Sequence, residues 1–229
     1  MLHNKMTTRQ IFEEIKKDSY IVIPKARQFG RTYNMYYKGL SHTFEHKTAR
    51  GNNYKIIYTI EDNSIVFYII TKITTDDGPK YVVVVPKIKE NKLESIQIIN
   101  PHVVHRFRER YNYEDTFVGV VCKILLLMRD IPTLILDEDK NPVDVTEGFT
   151  PFKDYNAIMQ TECGLILGEI FLDGTKIDKC VFISTCKTFL PTEMLNKGQR
   201  ETYDFMTELD KKYRPNRNCN SNAVYISLQ

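Results

Sequence analysis

The stretch NPHVVHRFRERYN, residues 100–112, places two histidines and three arginines within nine residues. Asn100 is a favourable N-cap residue and Pro101 suits the first turn, so the stretch predicts a helix. With 3.6 residues per turn, the side chains separate into two faces. The apolar face is predicted to hold Val103, Val104, Phe107 and Tyr111, and the polar face His102, His105, Arg106, Glu109 and Arg110, with Arg108 at the edge.

His102, Arg106 and Arg110 follow one another at four-residue spacing, so they form one stripe along the predicted helix. The free N–H groups and the dipole at a helix N-terminus favour an anion there. A guanidinium binds phosphate oxygens in bidentate fashion, and a histidine kept neutral by the same dipole can accept a proton. One histidine and two arginines could therefore bind a phosphodiester and stabilise developing negative charge without a metal.

A solvent-exposed structural helix would give a similar pattern. Arginine is a good helix former, and every surface helix has a polar face. Glu109 could pair with Arg106 or Arg110 and neutralise part of the stripe. The sequence leaves both interpretations open.

The pattern His102-x-x-x-Arg106-x-x-x-Arg110 resembles the HxxxRxxxR helix of toxin-type and phage-borne nucleases of the barnase–EndoU–colicin–RelE grouping. The resemblance covers residues 100–190 and implies two helices followed by an antiparallel sheet, with a hydroxyl side chain on a late strand. In CKTFL, residues 186–190, Lys187 and Thr188 occupy the corresponding place.

The activity that this resemblance implies is metal-independent RNA cleavage. A base would take the proton of the ribose 2′-hydroxyl, the 2′-oxygen would attack phosphorus, and an acid would protonate the leaving 5′-oxygen. The implied catalytic residues are His102 as base or acid, Arg106 and Arg110 on the phosphate, and Thr188 on the oxyanion, with His105 and Lys187 binding substrate. No cofactor is implied.

A rival site lies in GLSHTFEHKTARGN, residues 39–52, where His42-x-x-Glu45-His46 has the H-x-x-E-H form of inverzincin peptidases. On a helix the two histidines would share a face and could bind Zn²⁺, with Glu45 as general base. The irregular flanks count against this hypothesis. So does the third ligand, for which Glu90 and Glu94 are the nearby choices.

A third segment, KARQFGR at residues 25–31, is followed by Tyr33, Tyr36, Tyr37 and Lys38. Basic and aromatic side chains in alternation could contact phosphates and stack on bases. Tyrosine-rich segments are equally common at protein interfaces and core edges, so this interpretation stays open beside the other two.

The elements that position these residues predict an α+β fold. Thr7 and Gln10 form a capping-box pattern before a first helix, and residues 20–53 look irregular. Strand patterns at 54–60, 64–73, 81–88 and 95–99 predict an antiparallel meander. A helix pair (100–111 and 114–130), a short strand (133–136), a polar loop (137–156), a second antiparallel hairpin (164–189) and a last helix (197–213) are expected after it.

The predicted domain division is 1–98, 99–213 and a loose tail at 214–229. The net charge of +3 excludes a globally basic nucleic-acid binder, so any such contact must be local. Five cysteines without a CxxC pair favour a reducing compartment. With no signal-peptide or membrane-span pattern, we expect a cytoplasmic protein, in a host cytoplasm if it is phage-encoded.

The leading functional prediction is a toxin-like or phage-borne ribonuclease, with RNA as partner and a protein inhibitor as a second possible partner. The alternative is a non-catalytic phage or mobile-element protein, either a virion component or a host-factor binder. The third is a zinc hydrolase that uses His42, Glu45 and His46.

Overall fold

A computed structural model describes residues 1–37, 41–61, 64–87, 90–111, 116, 119–121, 123–124, 133–135, 157–161, 163–173 and 181–213. Its helices are α1 (Thr8–Tyr36), α2 (Pro101–Tyr111), a short 3₁₀ helix (Thr192–Met194) and α3 (Lys197–Tyr213). Its strands are β1 (His42–Lys47), β2 (Asn53–Glu61), β3 (Ser64–Thr75), β4 (Gly78–Lys87), β5 (Lys92–Ile99), β6 (Thr133–Ile135), β7 (Ala157–Thr161), β8 (Gly164–Asp173) and β9 (Val181–Pro191). The fold is α+β.

The first helix begins as predicted but is much longer than predicted. Its N-terminus is closed by the capping box, in which Gln10 N donates to Thr7 Oγ1 and Thr7 N donates to Gln10 Oε1. The helix continues for 29 residues to Tyr36, through the segment expected to be irregular. Apolar residues that recur at helical spacing and are buried explain this, and they are Ile11, Phe12, Ile15, Val22, Ile23, Ala26 and Tyr33.

Two helix-breaking residues are accommodated within α1. Pro24 is exposed, so the carbonyl of Tyr20 that it leaves without an N–H donor lies on the solvent side. Gly30 leaves room for the Tyr58 side chain of β2, because a Cβ there would lie 3.1 Å from Tyr58 Oη. The Tyr58 hydroxyl donates to the carbonyl oxygen of Ala26. The long helix therefore depends on packing against the sheet.

The predicted antiparallel meander is present, and β1 adds an edge strand to it. Successive strands from β1 to β5 are hydrogen-bonded neighbours, and all four pairings are antiparallel. One face of the meander packs on α1, and the core includes Ile56, Ile69, Val82, Ile96 and Ile98. The strands predicted from β-branched residues were therefore correct, whereas β1 lies where an irregular segment was expected.

The later half of the chain is described in part. Residues 119–121 and 123–124 are helical, with Val120, Val121 and Ile124 buried, and the rest of the predicted helix at 114–130 falls largely outside the described residues. The predicted loop at 137–156 and the tail at 214–229 also fall outside them. β8 and β9 are hydrogen-bonded neighbours, as the predicted hairpin requires, and β7 is an additional strand antiparallel to β8.

Residue contacts divide the chain into two compact units. The first contains Met1–Pro101 and Phe171–Thr185, and the second contains His102–Ile170 and Cys186–Gln229. The predicted division at residue 98 stays a prediction. None of the described helices is both long and apolar enough to cross a lipid bilayer, and the predicted cytoplasmic location likewise stays a prediction.

Candidate functional site on helix α2

Helix α2 has the two faces that its sequence predicts. Val103, Val104 and Phe107 are buried, and they anchor the helix in the protein interior. The polar side chains His102, His105, Arg106 and Glu109 are exposed, and Arg108 and Arg110 are partly exposed. The basic stripe therefore lies at the surface for its first two turns.

The N-terminus of α2 departs from the predicted capping arrangement. Asn100 lies between β5 and the first helical residue, Pro101, as expected. Its Oδ1 atom, however, is buried and has no hydrogen-bond partner among the described residues. The side chain therefore occupies the N-cap position without making the hydrogen bond that gives such a cap its stability.

Arg106 and Arg110 have different surroundings although they are one turn apart. Arg106 is 44% exposed, and its Nη1 lies 3.6 Å from Glu109 Oε2. A surface pair at this distance contributes little, so Arg106 keeps most of its capacity to bind an anion. Arg110 Nη1 donates to the carbonyl oxygen of Phe189 at 2.7 Å. It fastens the end of α2 to β9, and this role competes with the predicted contact to phosphate.

The predicted partners on β9 are not both available to α2. Lys187 Nζ lies 2.5 Å from Glu169 Oε1 on β8, so its charge is already paired. Phe189 faces α2, because its ring centroid lies 5.5 Å from that of Phe107. Leu190 packs against a separate apolar cluster that contains Leu165 and Met206.

Thr188 lies between Phe189 and Lys187 on β9, and strand alternation indicates its orientation. Side chains alternate between the two faces of a strand. Thr188 therefore points to the side of Leu190 and away from α2, where Phe189 packs. The sequence suggested that its hydroxyl would meet His102 and Arg106, whereas alternation from Phe189 directs it to the other face of β9, and its predicted role stays a prediction.

The zinc hypothesis placed His42, Glu45 and His46 on a helix, and the structure places them on β1. Four residues along a strand separate the two histidines by roughly 13 Å, so they do not form the close pair that the motif needs. Glu45 lies on the opposite, exposed face, with its Oε1 3.4 Å from Lys55 Nζ. The described residues contain no group of three His, Cys, Asp or Glu side chains that could hold a metal.

A buried polar cluster between α1 and the β1–β2 hairpin was missed by the sequence reasoning. The Arg50 guanidinium donates to Glu14 from Nε at 3.0 Å and from Nη2 at 2.6 Å. Asp18 Oδ2 accepts from Asn52 Nδ2 at 2.6 Å and from Tyr54 Oη at 2.9 Å. Glu14 and Asp18 are buried. The sequence feature that could have revealed the cluster is the four-residue spacing of Glu14 and Asp18 within the apolar repeat of α1. This spacing places both carboxylates on the buried face of the helix.

The charges of Glu14 and Asp18 are partly compensated by Arg50. The hydrogen bond from Arg50 outweighs burial and lowers the pKa of Glu14 to about 2, with further contributions from the Met1 ammonium and Asn52. Burial, together with the neighbouring Asp18 carboxylate, raises the pKa of Tyr54 well above its usual value. These contacts indicate a structural cluster that fixes α1 on the hairpin.

No family model, no curated protein and no solved structure matches this chain. The resemblance to the nuclease grouping therefore stays a prediction that rests on a few residues of α2.

Proposed function

We propose that this protein binds RNA through the exposed polar face of α2 and cleaves it without a metal. The observation that carries the proposal is the arrangement of His102, His105 and Arg106, which are exposed within the first two turns of a helix whose opposite side is buried. A rigid helix presents these side chains in fixed relative positions, as a phosphodiester site requires.

The chemistry needs one group that accepts a proton and one that donates a proton. His102 and His105 are three residues apart on the helix, so their side chains are neighbours. His102 would take the 2′-hydroxyl proton, and His105 would protonate the leaving 5′-oxygen. Arg106, one turn from His102, would hold the phosphate and stabilise its developing charge. Arg110, Lys187 and Thr188 are not part of this reduced set, for the reasons given above.

A second candidate is a non-catalytic protein that uses the same face of α2 to bind another protein. The observation that favours it is the engagement of Arg110 with the Phe189 carbonyl and of Lys187 with Glu169. Two cations of the predicted site, one catalytic and one substrate-binding, are thus already engaged within the protein, which leaves a smaller basic surface.

Labelled single-stranded RNA incubated with the purified protein in EDTA tests the proposal. We expect cleavage, with a loss of about 10²-fold or more in His102→Ala, because that is the usual contribution of one proton-transfer group. Arg106→Gln should weaken RNA binding by about tenfold, the usual loss for one charge-assisted contact. His3→Ala, which removes an exposed histidine elsewhere, is the matched control and should change neither property.

The possible outcomes separate the candidates. Binding without cleavage would retain RNA binding and reject the catalytic part. Absence of RNA binding, together with stable association of the protein into a larger complex, would favour the second candidate. Activity that EDTA abolishes, with bound zinc in elemental analysis, would reject the metal-independent reaction and reopen the zinc hypothesis.

A further inference from the structure

The second half of α1 has an unusual composition. The segment from Ser19 to Phe44 contains no Asp or Glu, and it contains Lys25, Arg27, Arg31 and Lys38. The structure describes residues 19–37 and 41–44 of this segment, and most of it forms α1. The segment therefore carries positive charge without an internal counter-charge.

Six residues of α1 form one exposed stripe, which we name the α1 basic face. They follow one another at intervals of three or four residues, so they lie on one side of the helix. All six are exposed, and they are Lys17, Tyr20, Pro24, Arg27, Arg31 and Met35. Tyr20 and Met35 are 70% and 72% exposed, respectively. A large aromatic ring and two guanidinium groups are thus presented to solvent on the same side.

The two arginines of this face have no acidic partner in the part of the chain that the structure describes. Arg27 Nη1 donates to Asn91 Oδ1 at 2.6 Å, and that partner is a neutral amide. Among the described residues, no carboxylate forms an ion pair with Arg27 or Arg31. The unit that contains α1 also has 18 Lys and Arg against 12 Asp and Glu, whereas the other unit has 14 against 17. An anionic partner is therefore favoured on this side of the chain.

We infer that the α1 basic face binds single-stranded RNA, with a base stacked on Tyr20 and phosphates held by Arg27 and Arg31. An exposed aromatic ring beside cations on one surface suits a single strand, because every base offers a face for stacking and every nucleotide carries a charge. The choice of RNA as the ligand rests on the proposed function. The α1 basic face adds a second surface that contacts this RNA.

An anionic membrane is the competing partner, and the burial pattern disfavours it. A helix that lies on a membrane inserts a continuous apolar face between the lipids. The apolar face of α1, including Ile15, Val22 and Ile23, is already packed against the sheet. On the exposed side of α1, Arg27 and Arg31 separate Tyr20, Ile21 and Pro24 from Met35 and Tyr36, so the exposed apolar surface is not continuous along the helix.

Fluorescence anisotropy with a labelled oligouridine, measured at several salt concentrations, tests the inference. Arg27→Gln/Arg31→Gln should weaken binding and reduce the slope of log K against log salt by about 1.4, since each phosphate contact on a single strand contributes about 0.7. The control Lys47→Gln/Lys72→Gln removes two exposed positive charges from β1 and β3, and should leave the slope nearly unchanged.

A second pair of variants tests stacking separately from charge. Tyr20→Leu should weaken binding about fivefold or more, whereas Tyr20→Phe, which keeps the ring, should bind like the unmodified protein. Tyr20 is exposed, so neither change should alter the thermal unfolding midpoint. Equal effects of Leu and Phe would overturn the stacking contact.

Comparison with Arg106→Gln on α2 distinguishes the two proposals. Loss of binding in the α1 variants alone would support the α1 basic face and reject RNA binding by α2. Loss in Arg106→Gln alone, or equal loss in the Lys47/Lys72 control, would overturn the α1 inference. Binding of the protein to phosphatidylserine vesicles through Arg27 and Arg31, without oligouridine binding, would also overturn it and assign the face to membranes.

Discussion

Arg106 and Arg110 show how one residue type can have two roles within a single turn. Both were expected to hold phosphate, but the Arg110 guanidinium is bound to the backbone of β9 while Arg106 remains at the surface. A buried or half-buried cation must find acceptors when water is excluded, and a carbonyl oxygen supplies one. Arg110 is therefore a residue that positions α2, and the proposed contact with phosphate rests on Arg106.

The ion pair between Arg50 and Glu14 should make the free energy of unfolding of the first unit decrease at acid pH. The pKa of Glu14 is about 2 when the chain is folded, against 4.5 for an unperturbed carboxyl, mainly because Arg50 donates two hydrogen bonds to it. A lowered pKa gives stability that is complete above about pH 5 and is lost as the pH falls towards 2. Because Arg50 is 41% exposed and water screens the pair, we expect the Arg50–Glu14 ion pair to contribute about 1–2 kcal/mol to the free energy of unfolding at pH 7.

Urea unfolding of Arg50→Met at pH 7, 4 and 2.5 measures this contribution. The variant should be less stable than the unmodified protein at pH 7, and the difference should shrink as the pH approaches 2.5. Lys55→Met is the control, because the Lys55–Glu45 pair is exposed on both sides and should contribute little at any pH. A pH-independent difference for Arg50→Met would show that the effect comes from lost packing.

Helix α1 is longer than the local helix preference of its residues would predict. Pro24 and Gly30 both disfavour a helix interior. The helix persists because its buried face packs on β2 to β5, and because Gly30 admits the Tyr58 ring, which stacks on Tyr33 with centroids 5.0 Å apart. Tertiary packing therefore overrides local preference across this segment.

Substitution of Gly30 in α1 by alanine is predicted to destabilise the protein, although helix propensity alone would predict stabilisation. Gly30→Ala would normally stabilise a helix by about 1 kcal/mol, but the added Cβ would lie 3.1 Å from Tyr58 Oη. Tyr58 is held by Tyr33, Phe67 and the Ala26 carbonyl, so it cannot easily move away. We expect a net loss of about 1 kcal/mol, measured by chemical unfolding.

A double-mutant cycle with Tyr58→Phe checks the cause. Without the hydroxyl, the added methyl group should cost less, so Gly30→Ala should be less destabilising in the Tyr58→Phe background. If Gly30→Ala stabilises the unmodified protein, the close approach of Tyr58 is not what keeps a glycine at this position.

At the scale of the whole molecule, β8 and β9 contribute to both compact units. The segment Phe171–Thr185 belongs with Met1–Pro101, and Ile183 from it packs in the core of the first unit. Ser184 Oγ also donates to the carbonyl oxygen of Ile96 at 3.5 Å. The first unit is therefore not continuous in sequence, and a cut near residue 100 should leave it incomplete.

We predict that residues 1–101 expressed alone will not unfold cooperatively, because the β8–β9 segment is missing from their core. Fusion of residues 164–191 to this fragment through a flexible linker should restore a cooperative thermal transition, followed by circular dichroism. The control is the same fusion with Ile183→Asp, which should fail to restore it. A cooperative transition in the unfused fragment would instead support the predicted division at residue 98.

Elements whose pattern is local were predictable from the sequence. The capping box of Thr7 and Gln10, the β-branched runs of β2 to β5, the two faces of α2 and the last helix α3 all follow from periodicity and short-range hydrogen bonds. On α2 the exposure of His102, His105 and Arg106 was predictable for this reason, since 3.6 residues per turn fixes which side chains share a face.

Features that depend on partners distant in sequence were not predictable from local patterns. The four letters of H-x-x-E-H are compatible with a helix or a strand, and pairing with β2 made His42–Lys47 a strand. The face on which Thr188 lies depends on the register of β9, and a shift of one residue would reverse it. The burial of Glu14 and Asp18 became tolerable once Arg50, Asn52 and Tyr54 reached them from the hairpin. Each of these outcomes is set by contacts between residues far apart in sequence, which local periodicity does not encode.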